Sequence, residues 1–249
     1  MAKPANPNAS ERPFLTAEWR DLVMLNYEVD PAVLRPHVPM GTELDSFGGR
    51  TFASLVAFRF LRTRIFGHLA IPFHSNFDEV NLRFYVRREE RTEVRRGVVF
   101  VAEIVPRWAI AAVARYAYNE NYFAYPMTRS ISRTRGGSEL RYGWRTRVGS
   151  YEIAAQTSGE PALTAEGSAE QFITEHYWGY AKQRDGGTVE YRVEHEPWCV
   201  WDASYAEFSG DASALYGAEF KDALSVKPYS AFVADGGPVR VLKGRQLTL

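Results

Sequence analysis

The sequence predicts a mostly β protein of the α+β class with a few short helices, and three observations carry that prediction. Long stretches alternate apolar and polar residues with a period of two, above all Asn76 to Arg87. Glycine pairs or an Asp-Gly-Gly triplet stand between such stretches, at Gly136-Gly137, Asp185-Gly186-Gly187 and Gly236-Gly237. Helical spacing is confined to a few pieces of about ten residues or fewer.

The elements follow in chain order. Residues Met1 to Pro13 have no apolar core and are expected to be a disordered lead-in, with one domain from residue 14 to 249. Trp19 to Val29 reads as a strand with Trp19, Val23, Leu25, Tyr27 and Val29 on one side. Asp30-Pro31 then caps one helical turn, Ala32 to Arg35, because a proline at the first helical position loses no hydrogen bond. Thr51 to Leu61 is an almost unbroken apolar run, as in a strand buried on both faces. In the organising strand, Val80, Leu82, Phe84 and Val86 share one face, while Glu79, Asn81, Arg83 and Tyr85 share the other. That polar face either lines a barrel interior or meets water.

The charged turn Arg88 to Arg96 leads to a strand Gly97 to Val105, and Pro106 opens an alanine-rich helix, Arg107 to Tyr116, whose lack of polar surface demands cover. Asn121 to Thr134 and Ser138 to Val148 are expected to pair as a hairpin, with Arg129, Arg133, Arg135, Arg141, Arg145 and Arg147 forming one basic face. Tyr151 to Thr157 adds a strand, and Ser168 caps a short helix to Thr174. Strands His176 to Gln183 and Thr188 to His195 flank the Asp185 turn, Ser213 to Phe220 is helical, and Val226 to Val233 pairs with Val239 to Leu242 around Gly236-Gly237. A closed barrel would dispose of so many strand edges.

Composition narrows the function. Thirty basic residues balance thirty acidic ones, which argues against nucleic acid as a partner. No apolar run approaches the roughly 20 residues needed to cross a bilayer, and the single cysteine, Cys199, excludes an internal disulfide and suits a cytoplasmic location. Nucleotide-binding glycine fingerprints and a nucleophile elbow are absent. His195-Glu196 begins like a zinc-protease box, but Pro197 forbids the helix that box requires. No histidine spacing suits zinc, so neither a metal nor a cofactor is expected. Cys199, between tryptophans, is expected in the core.

Several motifs resemble the YqjF-like family, a domain of unknown function. They are Trp19-Arg20-Asp21-Leu22, Asp30-Pro31 with Leu34-Arg35-Pro36, Gly49-Arg50 before the buried strand, Glu79-x-Asn81-x-Arg83-x-Tyr85-Val86, and Glu194-His195-Glu196-Pro197-Trp198. The resemblance runs from about Phe14 to Phe232 and implies the acetoacetate decarboxylase-like double-cone β-barrel, a central cavity and a possible homo-oligomer. The decarboxylases use a lysine whose pKa is lowered by a neighbouring lysine. The matching segment here, Ala114 to Phe123, places Tyr122 and Phe123 where those lysines belong, so no amine nucleophile is expected.

The functional expectation is a cavity for a small carbonyl or carboxylate compound. Glu79 is assigned as acceptor or general base, Arg83 and Arg115 as carboxylate anchors, Tyr122, Asn81 and Tyr85 as orienting groups, and Glu120 as a further ligand contact. Whether a bound molecule is transformed stays open. A non-catalytic binding or stress-response protein, and an interaction module built on the basic hairpin 129–147, are the alternatives.

Overall fold

The computed structural model describes residues 12–70, 74–106 and 121–247. The expected helix Arg107 to Tyr116, most of the lead-in, and the site residues Arg115 and Glu120 lie outside the described residues.

The protein is mostly β. Its strands are β1 (Leu15–Glu28), β2 (Glu43–Leu44), β3 (Phe52–Ile65), β4 (Phe77–Glu89), β5 (Val94–Val105), β6 (Tyr122–Ala124), β7 (Met127–Thr134), β8 (Gly137–Arg145), β9 (Ser150–Ser158), β10 (Ala162–Leu163), β11 (Trp178–Lys182), β12 (Thr188–His195), β13 (Cys199–Ser209), β14 (Ser230–Val241) and β15 (Arg245–Gln246). Pairing runs β12–β11–β5–β4–β3–β1–β14, and β14 returns to β12 through Val193 opposite Val241 and His195 opposite Val239. The described strands therefore close into a ring, with β11 meeting β5 over two residue pairs, Trp178 opposite Gly97 and Gly179 opposite Val98. From β14 the ladder also continues through β13, β9, β8 and β7 as a second sheet. Among the described residues no helix is long and apolar enough to cross a membrane.

Alternation along the ring strands divides the core in two. Val80, Leu82, Phe84 and Val86 pack outward with Leu55, Ala57 and Val23 against Leu140, Tyr142, Trp144 and Ile153 of the second sheet. The opposite faces give a second cluster inside the ring, with Leu22, Met24, Val56, Phe58, Phe60, Phe77 and Val98. Strand β4 is thus buried on both faces, which Phe84 at 0% and Glu79 at 2% exposure make plain.

Breaks in the alternation decide what faces inward. Asp21 takes φ +59° and is the extra residue of a bulge in β1, between Arg20 and Val23. The bulge inverts parity, so Trp19 lies on the interior face with Leu22 and Met24, not beside Val23, Leu25, Tyr27 and Val29 as uniform alternation predicts. Val101 is skipped in the pairing of β5 with β4, where Leu82 faces Ala102 but Arg83 faces Phe100. That slip puts Val98, Phe100 and Glu103 on the same inner face.

Three other expectations need correction. The chain makes no hairpin at Gly236-Gly237: β14 runs straight through and pairs with β1, Arg20 opposite Gly236 and Trp19 opposite Gly237. Gly236 has φ +79°, and a Cβ there would stand 2.1 Å from the Trp19 carbonyl oxygen, so the glycine serves close strand approach, not reversal. Asn121 to Thr134 is not one strand, because Pro126 separates β6, parallel to β5, from β7 in the second sheet. The basic face also dissolves. Arg129 pairs with Tyr142 and Ile131 with Leu140, so the arginines of β7 lie on the inward face while Arg141 lies on the other. Arg129 and Arg133 form ion pairs with Asp78 and Asp21, and Arg141 pairs with Glu139 and Glu152.

Short helices decorate the sheets. In α1 (Pro31–Leu34) Asp30 accepts from the Ala32 amide at 2.8 Å, and in α2 (Ala169–Thr174) Ser168 accepts from the Gln171 amide at 3.1 Å, as the sequence predicts. The expected helix Ser213 to Phe220 is interrupted at Gly217, with α3 (Ala212–Tyr216) before it and, beyond a 3-10 turn, α4 (Lys221–Leu224) after it. Cys199 is half-buried, short of the core position expected for it.

Candidate functional site

The ring encloses a cavity of about 170 Å³ whose wall is largely aromatic and aliphatic. Trp19, Phe58, Phe60, Phe100, Trp178 and Trp198 are among its aromatic lining residues. Polar groups reach it as well, among them Glu79, Asn81, Arg83, Glu103, Tyr122 and His195.

The main group comes from one band across adjacent strands. Asn81 of β4 lies opposite Glu103 of β5, and Glu103 lies opposite Tyr122 of β6, with Glu79 one step along β4 beside Phe58. Asn81 Nδ2 donates to Glu79 Oε1 at 3.1 Å, and the Tyr122 hydroxyl stands 3.4 Å from Glu79 Oε2. Burial pushes the Glu79 carboxyl up to about 7, outweighing the hydrogen bonds from Asn81 and Tyr122 and the charge of Arg83. Burial, with the charges of Glu103 and Glu79, holds the Tyr122 phenol well above its ordinary value. Tyr122 is therefore a proton-bearing phenol, and Glu79 is a carboxyl poised to gain or lose a proton near neutrality.

Arg83 reaches the cavity on the same face and leans on the end of α2, its Nη2 donating to the Ile173 carbonyl at 3.4 Å. Its Nε is buried with no partner among the described residues. Tyr85 does not line the cavity. Ser54 donates to Asn26 Oδ1 at 2.6 Å, so at the equally short 2.6 Å contact between Tyr85 and Ser54 the phenol must be the donor, and its hydroxyl is committed within the wall. The Tyr85 ring instead supports the site, with the Arg83 guanidinium 5.7 Å from its centroid and the His176 ring 4.7 Å away.

Sequence reasoning missed several cavity residues. Glu103 is the lone carboxylate in the apolar run Gly97 to Val105, a signal that was readable. His195, read from the sequence only as the start of a failed zinc-protease box, stacks on Trp198 at 4.1 Å, with Trp19 edge-on to Trp198 at 6.0 Å, and all three line the cavity. Burial holds the His195 imidazole below its ordinary value, against the pull of the Glu196 carbonyl. Tyr191 reaches the wall because Gly179 lies beneath it, where a Cβ would come within 2.1 Å of its ring. His176 also lines the cavity. Its Nε2 sits 3.2 Å from Asp45 Oδ2, and Arg96 grips the same carboxylate at 2.8 Å and 3.2 Å. Of the chain's lysines, Lys182, Lys221, Lys227 and Lys243 are described and none lines the cavity; Lys3 lies outside the described residues. Among the described residues no cluster of three His, Cys, Asp or Glu side chains could hold a metal ion.

A ring of this kind is the fold of the acetoacetate decarboxylase-like proteins. The chain aligns with the enduracididine biosynthesis enzyme MppR with HEPES buffer bound at a TM-score of 0.66, with 15% identity over 99% of this chain and 94% of that one. It aligns with the acetoacetate decarboxylase of Legionella pneumophila at 0.63, with 14% identity over 100% of this chain and 92% of that one. A family model described as an uncharacterised conserved protein, DUF2071, matches residues 16–237, and the chain belongs to that family. It is also 25% identical over 194 residues to the uncharacterised protein YqjF of Bacillus subtilis, covering 77% of this chain and 76% of that one.

Proposed function

We propose that the cavity binds a small carbonyl or carboxylate compound, with Arg83 as the anion anchor, Asn81 and Tyr122 as orienting groups and Glu79 as the group that exchanges a proton with the ligand. The observation that carries this reading is Glu79 itself: a carboxyl 2% exposed, pushed up to about 7, in an apolar chamber that also holds a guanidinium and a phenol. Burying such a polar set is costly unless something uses it. The solved relatives lend support, since MppR has been captured with pyruvate. With no lysine on the described wall, any carbonyl chemistry proceeds without a Schiff base, through Glu79 and Tyr122 as acid and base. The half-buried, unpaired Cys199 fits a protein of the reducing cytoplasm.

The test is a thermal-shift and turnover panel of 2-oxo acids, 2-hydroxy acids and aromatic carboxylates on wild type, Arg83→Ala and Glu79→Gln. The reading expects stabilisation that Arg83→Ala abolishes. Consumption of the ligand, lost in Glu79→Gln, identifies an enzyme, whereas stabilisation without product identifies a binding protein. No stabilisation by any member, or stabilisation indifferent to Arg83, contradicts the reading. The interaction-module alternative loses its basis in the β7–β8 register, which sends the two arginine sets to opposite faces.

A further inference from the structure

His195 faces the chamber with an open nitrogen that proton exchange at Glu79 leaves unused. Along β12 the side chains of Tyr191, Val193 and His195 share the inner face and line the cavity, whereas Glu190 and Glu194 occupy the other face and pair with Arg245 and Arg240. At the end of the strand His195 Nδ1 lies 2.9 Å from the Glu196 carbonyl oxygen. A carbonyl only accepts, so Nδ1 carries the ring proton. Burial, with a smaller push from the charge of Arg83, holds the imidazole below its ordinary value despite that carbonyl, so the ring is neutral near pH 7. Nε2 is therefore a bare acceptor. It makes no hydrogen bond among the described residues and, unlike the indole nitrogen of Trp198 beside it, retains accessible surface.

The imidazole is held in one pose. Trp198 stacks on it at 4.1 Å with 17° between the planes, Tyr177 packs against it at 4.9 Å, and Nδ1 is tethered to the backbone. Going round the ring, β4 is three strands from β12 through β11 and β5, and four through β14, β1 and β3, so Glu79 and His195 enter the chamber from opposite walls. The charge of Arg83 acts to lower both the Glu79 carboxyl and the His195 imidazole, so its guanidinium lies near each. Arg83 Nε is buried and Nη2 is given to the Ile173 carbonyl, but Nη1 makes no hydrogen bond among the described residues and retains accessible surface. A ligand carboxylate on Nη1 leaves the rest of a short acid between a carboxyl that bears a proton and an imidazole nitrogen that lacks one. An acid on one side and a base on the other is the arrangement that moves a proton between carbon and a carbonyl oxygen.

We infer that His195 is a catalytic base which, with Glu79 across the chamber as the acid, enolises 2-oxo acids that carry a hydrogen on C3. This rests on the reading of the cavity as a small-acid site. The C3–H bond breaks and its proton passes to Nε2 of His195. The electron pair left on C3 forms the C2=C3 double bond, and the pair of the C2=O double bond takes up the proton of the Glu79 carboxyl to give the enol hydroxyl. The ligand loses one proton and gains one, with no change of oxidation level, while the protein is left with an imidazolium and a carboxylate. Reversal returns a proton to C3, and because the imidazolium exchanges with solvent, that proton comes from water.

Proton NMR of pyruvate in deuterium oxide tests it, because loss of the methyl signal reports enolisation without any net product. Wild type should wash out the methyl protons about 10²–10⁴-fold faster than solution without protein. His195→Phe, which keeps an aromatic ring on Trp198, should lose nearly all of that acceleration while pyruvate still stabilises the variant in a thermal-shift assay. Long-range proton–nitrogen spectra of wild type give a second readout that does not depend on a variant folding. In the free protein Nδ1 of His195 should be protonated and Nε2 bare, and Nε2 should shift when trimethylpyruvate is added, a 2-oxo acid with no hydrogen on C3. Pyruvate binding with washout at the protein-free rate, washout undiminished in His195→Phe, or an Nε2 that is protonated or does not move, overturns the inference while leaving the small-acid reading intact. Failure of both pyruvate and trimethylpyruvate to bind overturns both.

Discussion

Replacing Glu79 with glutamine should make the fold lose less stability as pH rises. In the folded chain the carboxyl is pushed from 4.5 to about 7 by burial. Below pH 4.5 it is neutral in both folded and unfolded chains and contributes nothing to the difference. Between 4.5 and about 7 the unfolded chain releases the proton while the fold retains it, so stability falls as pH rises and levels off above the folded value. At 1.36 kcal/mol per unit, the full loss is about 3 kcal/mol, a large share of the 5–15 kcal/mol typical of a domain. Glutamine keeps the shape, accepts from Asn81 at its amide oxygen and turns its NH2 as a donor toward the Tyr122 oxygen, but it has no proton to lose. Urea unfolding followed by tryptophan fluorescence at pH 5 and pH 8 measures the difference. Wild type should lose about 2–3 kcal/mol more than Glu79→Gln between those conditions, since contributions from other groups are common to both. Parallel stability profiles, or a glutamine variant less stable at pH 8 than wild type by more than about 1 kcal/mol, would refute the placement of this carboxyl in a dry chamber.

Three further outcomes are expected. Gly236→Ala should cost about 2–4 kcal/mol, because φ +79° disfavours any Cβ and this one meets the Trp19 carbonyl at 2.1 Å; a melting temperature within a few degrees of wild type contradicts the continuous β14. Asp45→Asn should remove an acid-sensitive component of stability: a carboxyl held below its ordinary value contributes above the unfolded value and loses that contribution as pH falls through the folded one, so acid unfolding of wild type should be steeper than that of the variant. Borohydride treatment with pyruvate should leave the intact mass unchanged, and a trapped adduct on any lysine would show that an amine reaches the ligand after all.

Much of this architecture was legible because local and global signals agree along the central strands. Alternation in β4 told its two faces apart: the apolar set meets the second sheet, while of the polar set, which the sequence left open between a barrel interior and water, Glu79, Asn81 and Arg83 line the cavity and Tyr85 does not. The helix caps at Asp30 and Ser168 were readable because each depends on a single side chain and the next few amides. What failed depended on non-local pairing. A bulge at Asp21 reverses the parity of Trp19, and nothing in the neighbouring residues announces it. Gly236-Gly237 looks like a turn locally and acts as a close crossing because β1 lies alongside. The six arginines of β7, β8 and their flanks looked like one face until pairing of odd with even positions separated them. His176 escaped notice for the same reason: its partner Asp45 is 131 residues away in the chain, and the pairings of β2 with β4, β4 with β5 and β5 with β11 bring them together.

The account rests on a small acid occupying the chamber between Arg83 and Glu79. A crystal structure of the protein grown with mandelate tests that claim most directly. It should reveal the carboxylate within hydrogen-bond reach of the Arg83 guanidinium, with the remainder of the molecule against Phe58, Phe100 and Trp198 and beside Glu79. An empty chamber with mandelate bound elsewhere, or Glu79 in open contact with bulk water, would contradict it.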